Sequence, residues 1–555
     1  NTTGDTNVAI GNNVLDANTT GSGNTAVGSY ALTDATTGSE NNAFGKSALG
    51  ALTTASYNNA FGREALRLNT TGANNCAFGH EALESNTTAS NNSAFGYEAL
   101  KANTTGQYNT AVGTSALDAN TTGGNNSCFG VNALGANTTA SENTAIGQDA
   151  LRYNTTGAEN TAVGYLSLYS NTTASNNTAV GKRALKANTT GTENVAVGKS
   201  ALETATTANY NTAVGSRAGT ATTTGQYNVA VGADSLMSNT TGETNTAVGY
   251  DSLGDNTTGE QNVAIGQNCM SNNSTGHFNT AIGRSALHAN TTANSNTAVG
   301  YFTLDSNTTG TLNVAVGASA LTASTTASNN TAVGYYALVS ATTGHSNTAI
   351  GSYAGDAITT GYDNVCIGEH AGTAITGSEK NTLIGWNAGK NITTGQGRNI
   401  CIGDDTQLGD VDNNREMVIG HNSTGKGSET AYIRGNSGVY NSGNTTAWQT
   451  NSDERIKKNI VDNNTGLDIL NQIQVRNFEY RTEEEITDFK NPKSAVVEKE
   501  GVQIGVIAQE LEKILPECVK TQSTGVKSVN SDNLTWYLLN AVKELSAKVT
   551  ALEGK

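Results

Sequence analysis

One pattern of apolar and polar positions repeats along most of this chain. A glycine returns every 17 residues from Gly11 to Gly385, and Gly403 and Gly420 follow after a single 18-residue step. With that glycine as position 0, a large apolar residue stands at −1 and usually a leucine at +4, while positions −2 and +3 are small. An Asn-Thr-Thr-Gly segment, as at 103–106, leads to the next unit. A fixed short period predicts a stack of like units.

The pattern within each unit predicts extended chain and turns. A helix would need apolar residues at a spacing of 3.6, and the glycine and Asn-Thr-Thr segments interrupt that spacing. We predict two short strands per unit, separated by a tight glycine bend and an Asn/Thr/Gly turn. Stacking in register then gives a parallel β-solenoid. In this rod the −1 and +4 residues form interior ladders, and the Asn and Thr side chains satisfy one another. No proline occurs before Pro492, as expected where every backbone N–H joins the ladder.

The Asn-Thr-Ala-Val-Gly phrase at 24–28 and 330–334 is similar to the head repeats of trimeric autotransporter adhesins. The resemblance covers the motif and not the period, and it implies a trimeric β-solenoid. An interwoven triple β-helix, in which three chains share each layer, is the alternative that the sequence leaves open. The expected fold class is mainly β: a trimeric rod of 17-residue repeats, followed by a small α+β domain that ends in a coiled-coil helix.

Composition narrows the function classes. The formal net charge of −16 is spread over a long surface and argues against nonspecific nucleic-acid binding. No apolar run reaches about 18 residues, so we expect no membrane insertion. The six cysteines are typical of small buried hydrophobes rather than of a disulfide framework. We expect no cofactor and no metal. Because Asn1 falls within a repeat, we also expect an N-terminal attachment module that this sequence does not include.

Acidic residues recur at one position of three successive coils. Glu64, Glu81 and Glu98 all stand at +2 and could together bind a cation. Basic residues such as Lys101 are close in sequence, however, and they favour a solvated, ion-paired outer face.

The repeat ends after Gly420, and the composition changes further along the chain. Residues 452–555 hold 14 of the 31 Lys and Arg residues and both prolines. We predict three parts: the solenoid over 1–420, a Gly/Ser/Asn-rich connector or distal tip over 421–451, and a separate domain over 452–555. The closing segment has apolar residues spaced by four and three, which predicts a trimeric coiled-coil seam of about two heptads. The seam residues are Leu538, Val542, Leu545, Val549 and Leu552.

Four blocks resemble, in this order, the intramolecular chaperone domain of endosialidase-type phage tail spikes and fibres. They are the Ser-Asp-x-Arg-x-Lys start at 452–457, the segments Val475–Arg481 and Gly505–Leu511, and the closing seam. The resemblance implies a domain that trimerises, templates the folding of the upstream fibre and then cuts itself off. It assigns Ser452 as nucleophile and Lys457 as its base, with cleavage between Asn451 and Ser452. Because all coils look alike, we expect no internal register mark, so that a C-terminal trimer seed sets the register.

Together these features predict a structural, host-receptor-binding phage tail fibre, located in the virion after assembly in the host bacterial cytoplasm. Its partners would be further copies of itself, a host polysaccharide receptor, and other virion proteins reached through the N-terminal module. The alternatives are a polysaccharide depolymerase spike and a cell-surface adhesin. The uniform repeat offers no cleft for paired carboxylates, so self-cleavage is the only enzymatic step expected. Receptor contact is expected from aromatic and cationic residues of the connector: Tyr432, Arg434, Tyr440 and Trp448.

Overall fold

The computed structural model describes residues 2–395, 397–434, 457–488, 495–497, 499–522 and 525–554. The chain divides into two compact units, Asn1–Ser319 and Ala320–Lys555. Both units contain coils of a parallel β-solenoid, and the second also contains the C-terminal helices and hairpins.

Each described repeat contributes one three-residue strand. In the first unit the strands are β1 (Val8–Ile10), β2 (Thr25–Val27), β3 (Asn42–Phe44), β4 (Asn59–Phe61), β5 (Cys76–Phe78), β6 (Ser93–Phe95), β7 (Thr110–Val112), β8 (Ser127–Phe129), β9 (Thr144–Ile146), β10 (Thr161–Val163), β11 (Thr178–Val180), β12 (Val195–Val197), β13 (Thr212–Val214), β14 (Val229–Val231), β15 (Thr246–Val248), β16 (Val263–Ile265), β17 (Thr280–Ile282), β18 (Thr297–Val299) and β19 (Val314–Val316). In the second unit they are β20 (Thr331–Val333), β21 (Thr348–Ile350), β22 (Val365–Ile367), β23 (Thr382–Ile384), β24 (Ile400–Ile402), β25 (Met417–Ile419) and β26 (Ala431–Ile433).

Successive strands within each unit pair in parallel. Thr25 lies opposite Asn42, and Thr161 lies opposite Thr178, so the register follows the repeat. The 18-residue step in the sequence appears as the pairing of Thr382 with Ile400. Because consecutive repeats of one chain pair with each other, each chain coils on itself, as in a solenoid.

The prediction of two strands per unit is wrong, because only one forms. The segment after the glycine turns through left-handed conformations instead: Tyr30 at +2 has φ 61° and Leu32 at +4 has φ 48°. A positive φ does not fit a β-strand. Coil-to-coil backbone hydrogen bonds hold this segment, as where the Leu32 N–H donates to the Ala48 carbonyl at 3.0 Å.

The interior of each coil is narrow and is filled by small residues and leucine. Ala26 at −2, Ala31 at +3 and Leu32 at +4 are fully buried, which confirms the predicted leucine ladder. The prediction that −1 residues also point inward is wrong: Val27 is only half-buried, and Phe44 is 36% exposed. Side chains alternate along a strand, so an inward alanine at −2 places positions −3 and −1 on the outside.

Asparagine columns run through the interior from coil to coil. At position −4, the backbone N–H of Asn58 donates to Asn41 Oδ1 at 2.9 Å. At position +7, Asn86 Nδ2 donates to Asn69 Oδ1 at 2.9 Å. Threonine hydroxyls of the turn donate to a threonine carbonyl of the next coil. These bonds confirm that buried polar side chains satisfy one another between coils.

The C-terminal elements form a small α+β region. They are α1 (Leu467–Leu470), β27 (Arg476–Phe478), a 3-10 turn (Glu483–Glu485), β28 (Gln503–Gly505), α2 (Ala508–Leu511), a 3-10 turn (Pro516–Cys518), β29 (Val519–Thr521), β30 (Lys527–Val529) and α3 (Ser531–Glu553). The pairs β27–β28 and β29–β30 are antiparallel. Leu511, Leu515 and Cys518 are buried at the centre, against apolar side chains that include Ile469 of α1 and Leu534 of α3.

Candidate functional site

Of the predicted self-cleavage residues, the structure describes Lys457. Asn451 and Ser452 are outside the described residues, so the distance between the proposed nucleophile and base is not defined. Lys457 opens the described C-terminal stretch, and its side chain is exposed. The Ser452–Lys457 pairing therefore stays a prediction.

Two of the sequence blocks that carry the family resemblance correspond to an antiparallel strand pair and a helix. The segment Val475–Arg481 contains β27, and Gly505–Leu511 joins the end of β28 to α2. Across this pair, Arg476 Nε and Nη2 donate to the Glu510 carboxylate at 3.2 and 3.1 Å. A two-pronged bond of this kind fixes both position and angle, so it ties α2 to β27.

The closing helix is capped and anchored at its N-terminal half. Asn530 Oδ1 accepts from the Asp532 N–H at 3.1 Å, as expected of an asparagine N-cap. The Leu467 N–H at the start of α1 donates to Glu544 Oε2 at 3.1 Å, and Asn540 Nδ2 donates to a backbone carbonyl before α1 at 2.6 Å. These bonds set which face of α3 is turned toward α1.

The predicted seam runs along α3 and is exposed. Each seam residue is between 43% and 72% exposed in the single chain: Leu538, Val542, Leu545, Val549 and Leu552. The first of them also borders a shallow apolar groove that is lined by Leu470, Ile473, Val475, Leu534, Thr535 and Leu538. A contiguous apolar strip of this length on a soluble surface is typical of an interaction site.

Two of the predicted receptor-contact residues lie at the last strand of the solenoid. Tyr432 is within β26, and Lys426 Nζ lies 5.2 Å from the centre of its ring. Arg434 follows β26, and its Nη1 donates to the Asn422 carbonyl at 3.0 Å. Tyr432 is the middle residue of its strand and lies partly buried opposite Val418, whereas Arg434 comes directly after the strand. The other two predicted residues are outside the described residues: Tyr440 and Trp448.

Two of the three acidic residues at +2 are paired with a lysine, and the third, Glu64, is paired with Arg63. Lys101 Nζ lies 2.6 Å from Glu81 Oε2 and 2.8 Å from Glu98 Oε1. The hydrogen bond from Lys101 lowers the pKa of Glu81, and its bonds to Glu81 and Glu98 raise the pKa of Lys101. This arrangement agrees with the ion-paired outer face. Within the described residues, no group of three His, Cys, Asp or Glu side chains is placed to hold a metal ion.

The cysteines behave as the composition predicted. All six are free, and all but Cys76 are buried. Burial raises the pKa of the Cys366 and Cys401 thiols to about 12, so these side chains stay neutral and unreactive. Cys76 stands on the outward −3 position of β5 and is partly exposed.

A buried carboxylate ends one asparagine column, and the sequence analysis missed it. Glu416 occupies position −4, where the preceding coil has Asn399, and it is fully buried. Its carboxylate accepts from Asn413 Nδ2 at 2.8 Å and from the N–H groups of Gly409 and Gly427 at 3.1 and 2.7 Å. Burial raises the pKa of Glu416, and these donors oppose the shift. The available signal was one acidic residue in a slot otherwise held by asparagine.

None of the helices in the described ranges is long and apolar enough to cross a lipid bilayer.

Comparison with known proteins identifies one segment. Residues 452–520 match the Peptidase_S74 family model, which is described as chaperone of endosialidase. The matched segment begins at Ser452 and includes β27, β28 and α2, whereas α3 follows it. No curated protein and no solved structure is detectably similar to the chain.

Proposed function

We propose that this chain is a homotrimeric phage tail fibre whose C-terminal region is an intramolecular chaperone that releases itself after folding. The observation that carries the proposal is the chaperone-of-endosialidase match over 452–520, placed directly downstream of a parallel β-solenoid. The exposed seam of α3 supports the trimer, because apolar residues spaced by four and three pack well only against like helices.

A folding template suits this fibre for a physical reason. Successive coils pair residues only 17 positions apart, as Thr25 with Asn42, and neighbouring coils are alike in sequence, so strands can pair one coil out of step. The chain closes each coil on the one before it, so an early error in alignment would be copied along the stack. A C-terminal trimer seed brings three chains together before the coils close.

The release step would use Ser452 and Lys457. The Lys457 amine, in its neutral form, takes the Ser452 hydroxyl proton while the oxygen attacks the Asn451 carbonyl carbon. The bond between that carbon and the Ser452 nitrogen breaks, and the nitrogen takes up the proton. Water then hydrolyses the resulting ester and leaves a free carboxylate on Asn451.

The released fibre would present its last coils and the connector to the host. Tyr432 in β26 and Arg434 directly after it, together with Tyr440 and Trp448, would contact a surface polysaccharide. Aromatic rings and guanidinium groups suit this ligand, because they stack on sugar rings and bind sugar hydroxyls. Other virion proteins would be joined through an N-terminal module, and the fibre would act in the virion.

Mass spectrometry of the purified chain tests the release step. We expect the wild type to yield fragments 1–451 and 452–555, and Ser452→Ala and Lys457→Ala to remain intact. Lys458→Ala is the matched control, since it removes the neighbouring lysine and should still cleave. An intact wild-type chain would remove the autoprotease claim and leave the chaperone claim standing.

Release of reducing sugars from host polysaccharide would instead favour the depolymerase.

A further inference from the structure

The outer side of the strands in residues 1–319 carries an unbroken column of apolar side chains at −1, beside a column at −3 that is mostly Thr, Ser or Asn. We define the strand face as the side chains at −3 and −1 of β1–β19. The −1 position always holds Val, Ile or Phe, and Phe95, Phe129 and Ile146 are 39%, 43% and 41% exposed. Some −3 positions are apolar as well, and Val195 is 37% exposed. Each of the nineteen −1 side chains of this unit is partly or largely exposed in the single chain.

One part of the strand face differs from the rest. Four successive coils carry phenylalanine at −1: Phe44, Phe61, Phe78 and Phe95. Their rings stack nearly parallel, with centroids 4.6, 4.4 and 5.1 Å apart in chain order. Val27 precedes this phenylalanine block and Val112 follows it. The phenylalanine block is therefore a patch of larger apolar side chains at one level of the stack.

We infer that the strand face of residues 1–319 is the surface on which copies of this chain pack side by side, parallel and in register, with the phenylalanine block fixing the register. The inference rests on the homotrimer of the proposed function and adds which surface is shared. Rotational symmetry about an axis along the stack places equal residues at equal heights. Phenylalanine blocks of neighbouring copies then meet.

The spacing of the repeat favours a second copy of this chain as the partner that covers the strand face. The exposed side chains recur at the spacing of parallel strands, about 4.8 Å. A partner that covers them along nineteen strands must present side chains with the same rise, and an identical chain does so. A globular partner could cover only a few coils.

The area is also sufficient. One third of the surface area of a phenylalanine side chain is on the order of 50–80 Å². The corresponding area of a valine side chain is somewhat smaller. Nineteen coils therefore expose on the order of 1,000 Å², above the roughly 800 Å² per partner of a standard stable interface.

The phenylalanine block makes registers unequal. In the aligned register four phenylalanines face four. A slip of one coil leaves three of these contacts and places a phenylalanine opposite a valine at each end of the block. The phenylalanine block therefore helps to set the register between copies, in addition to the C-terminal region. This differs from the expectation that the coils carry no register mark of their own.

Cys76 provides a native probe of this arrangement. It lies at −3 of β5, beside Phe78, and it alone of the six cysteines is not buried. We expect a short bis-maleimide, added to the assembled protein, to join Cys76 of neighbouring copies. One linker joins two thiols, so denaturing gels should show covalent dimers. Cys76→Ser should abolish them; the substitution is mild because Ser93 holds the same slot in the next coil.

Two measurements separate the possible outcomes. Light scattering after size-exclusion chromatography gives the number of copies, and the gel gives the contact. Trimers without Cys76 dimers overturn the strand-face inference alone. A monomeric chain overturns the trimer and the inference together, whereas trimers with Cys76 dimers support both.

A second variant tests the register role of the block. Changing Phe44, Phe61, Phe78 and Phe95 to Val should leave trimers but reduce the yield of Cys76 dimers severalfold, because slipped registers separate the thiols. The matched control changes Ile146, Ile265 and Ile282 to Val on the same face and should keep the wild-type yield. An unchanged yield in the phenylalanine variant would overturn the register role.

Discussion

At the scale of single residues, the repeating glycine is explained by two constraints that act at once. Gly45 has φ +142°, and a Cβ placed on it would lie 2.3 Å from the carbonyl oxygen of Gly62 in the next coil. The backbone angle excludes side chains in general, and the close approach of the coils leaves no space for one. The strict 17-residue return therefore records a point where a positive φ and a close approach of neighbouring coils coincide.

A pair of alanine substitutions in one coil tests this explanation. Gly45→Ala should destabilise its coil by about 2–4 kcal/mol, from strain and overpacking together. Gly50→Ala should change stability by less than about 1 kcal/mol, since its Cβ would meet nothing closer than the Ser47 carbonyl oxygen at 3.4 Å. Hydrogen exchange of peptides covering 42–79 measures both. Equal protection in the two variants would contradict the explanation.

At the scale of one coil, the interior keeps its volume while the residues that fill it change. In most coils leucine stands at +4, but four coils have glycine there: Gly219, Gly355, Gly372 and Gly389. The coil of Gly219 has a buried threonine at +7, Thr222, whereas the three later coils have a buried isoleucine there: Ile358, Ile375 and Ile392. A Cβ on Gly355 would lie 2.9 Å from Ile358 Cδ1, so the isoleucine occupies the space that leucine leaves. The backbone is unchanged, since Gly355 has φ +58° and Leu338 has φ 51°.

A double-mutant cycle tests this exchange. Gly355→Leu alone should overpack the coil at a cost of about 1–3 kcal/mol, and Ile358→Ala alone should leave a cavity at a cost of about 2–5 kcal/mol. The double variant recreates the preceding coil, which has Leu338 and Ala341. We therefore expect it to cost at least about 1 kcal/mol less than the sum of the single variants. Thermal unfolding measures the cycle, and additive effects would count against the exchange.

At the scale of the whole molecule, two apolar surfaces remain uncovered on a single chain. One is the strand face of residues 1–319, and the other is the seam of α3. The first follows the repeat, and the second lies after the segment that matches the chaperone family. If both are shared by three chains, the seam starts the assembly and the strand face extends it.

Substitutions in the seam test its part in assembly. Val542→Lys with Leu545→Lys should abolish trimers, because charges would replace apolar contacts between helices. The single chain should lose little stability, since these side chains are 55% and 51% exposed. Lys543→Ala is the control on the same helix and should leave the trimer intact. Light scattering of each variant gives the count, and trimers of the double-lysine variant would exclude the seam as an assembly site.

The sequence by itself determined the period, the parallel solenoid, the leucine ladder and the chaperone-like segment. A glycine that recurs at a fixed step dictates coils of equal length, and coils of equal length stack only in parallel. Which residues of the strand face outward was decided by the tertiary structure. In a coil of 17 residues the interior has space for alanine at −2 but not for phenylalanine at −1, and strand alternation then turns the large apolar residues outward. Apolar character predicted burial of these residues, but the narrow interior decided that they lie on the outside of the coil, where a second copy of the chain would cover them.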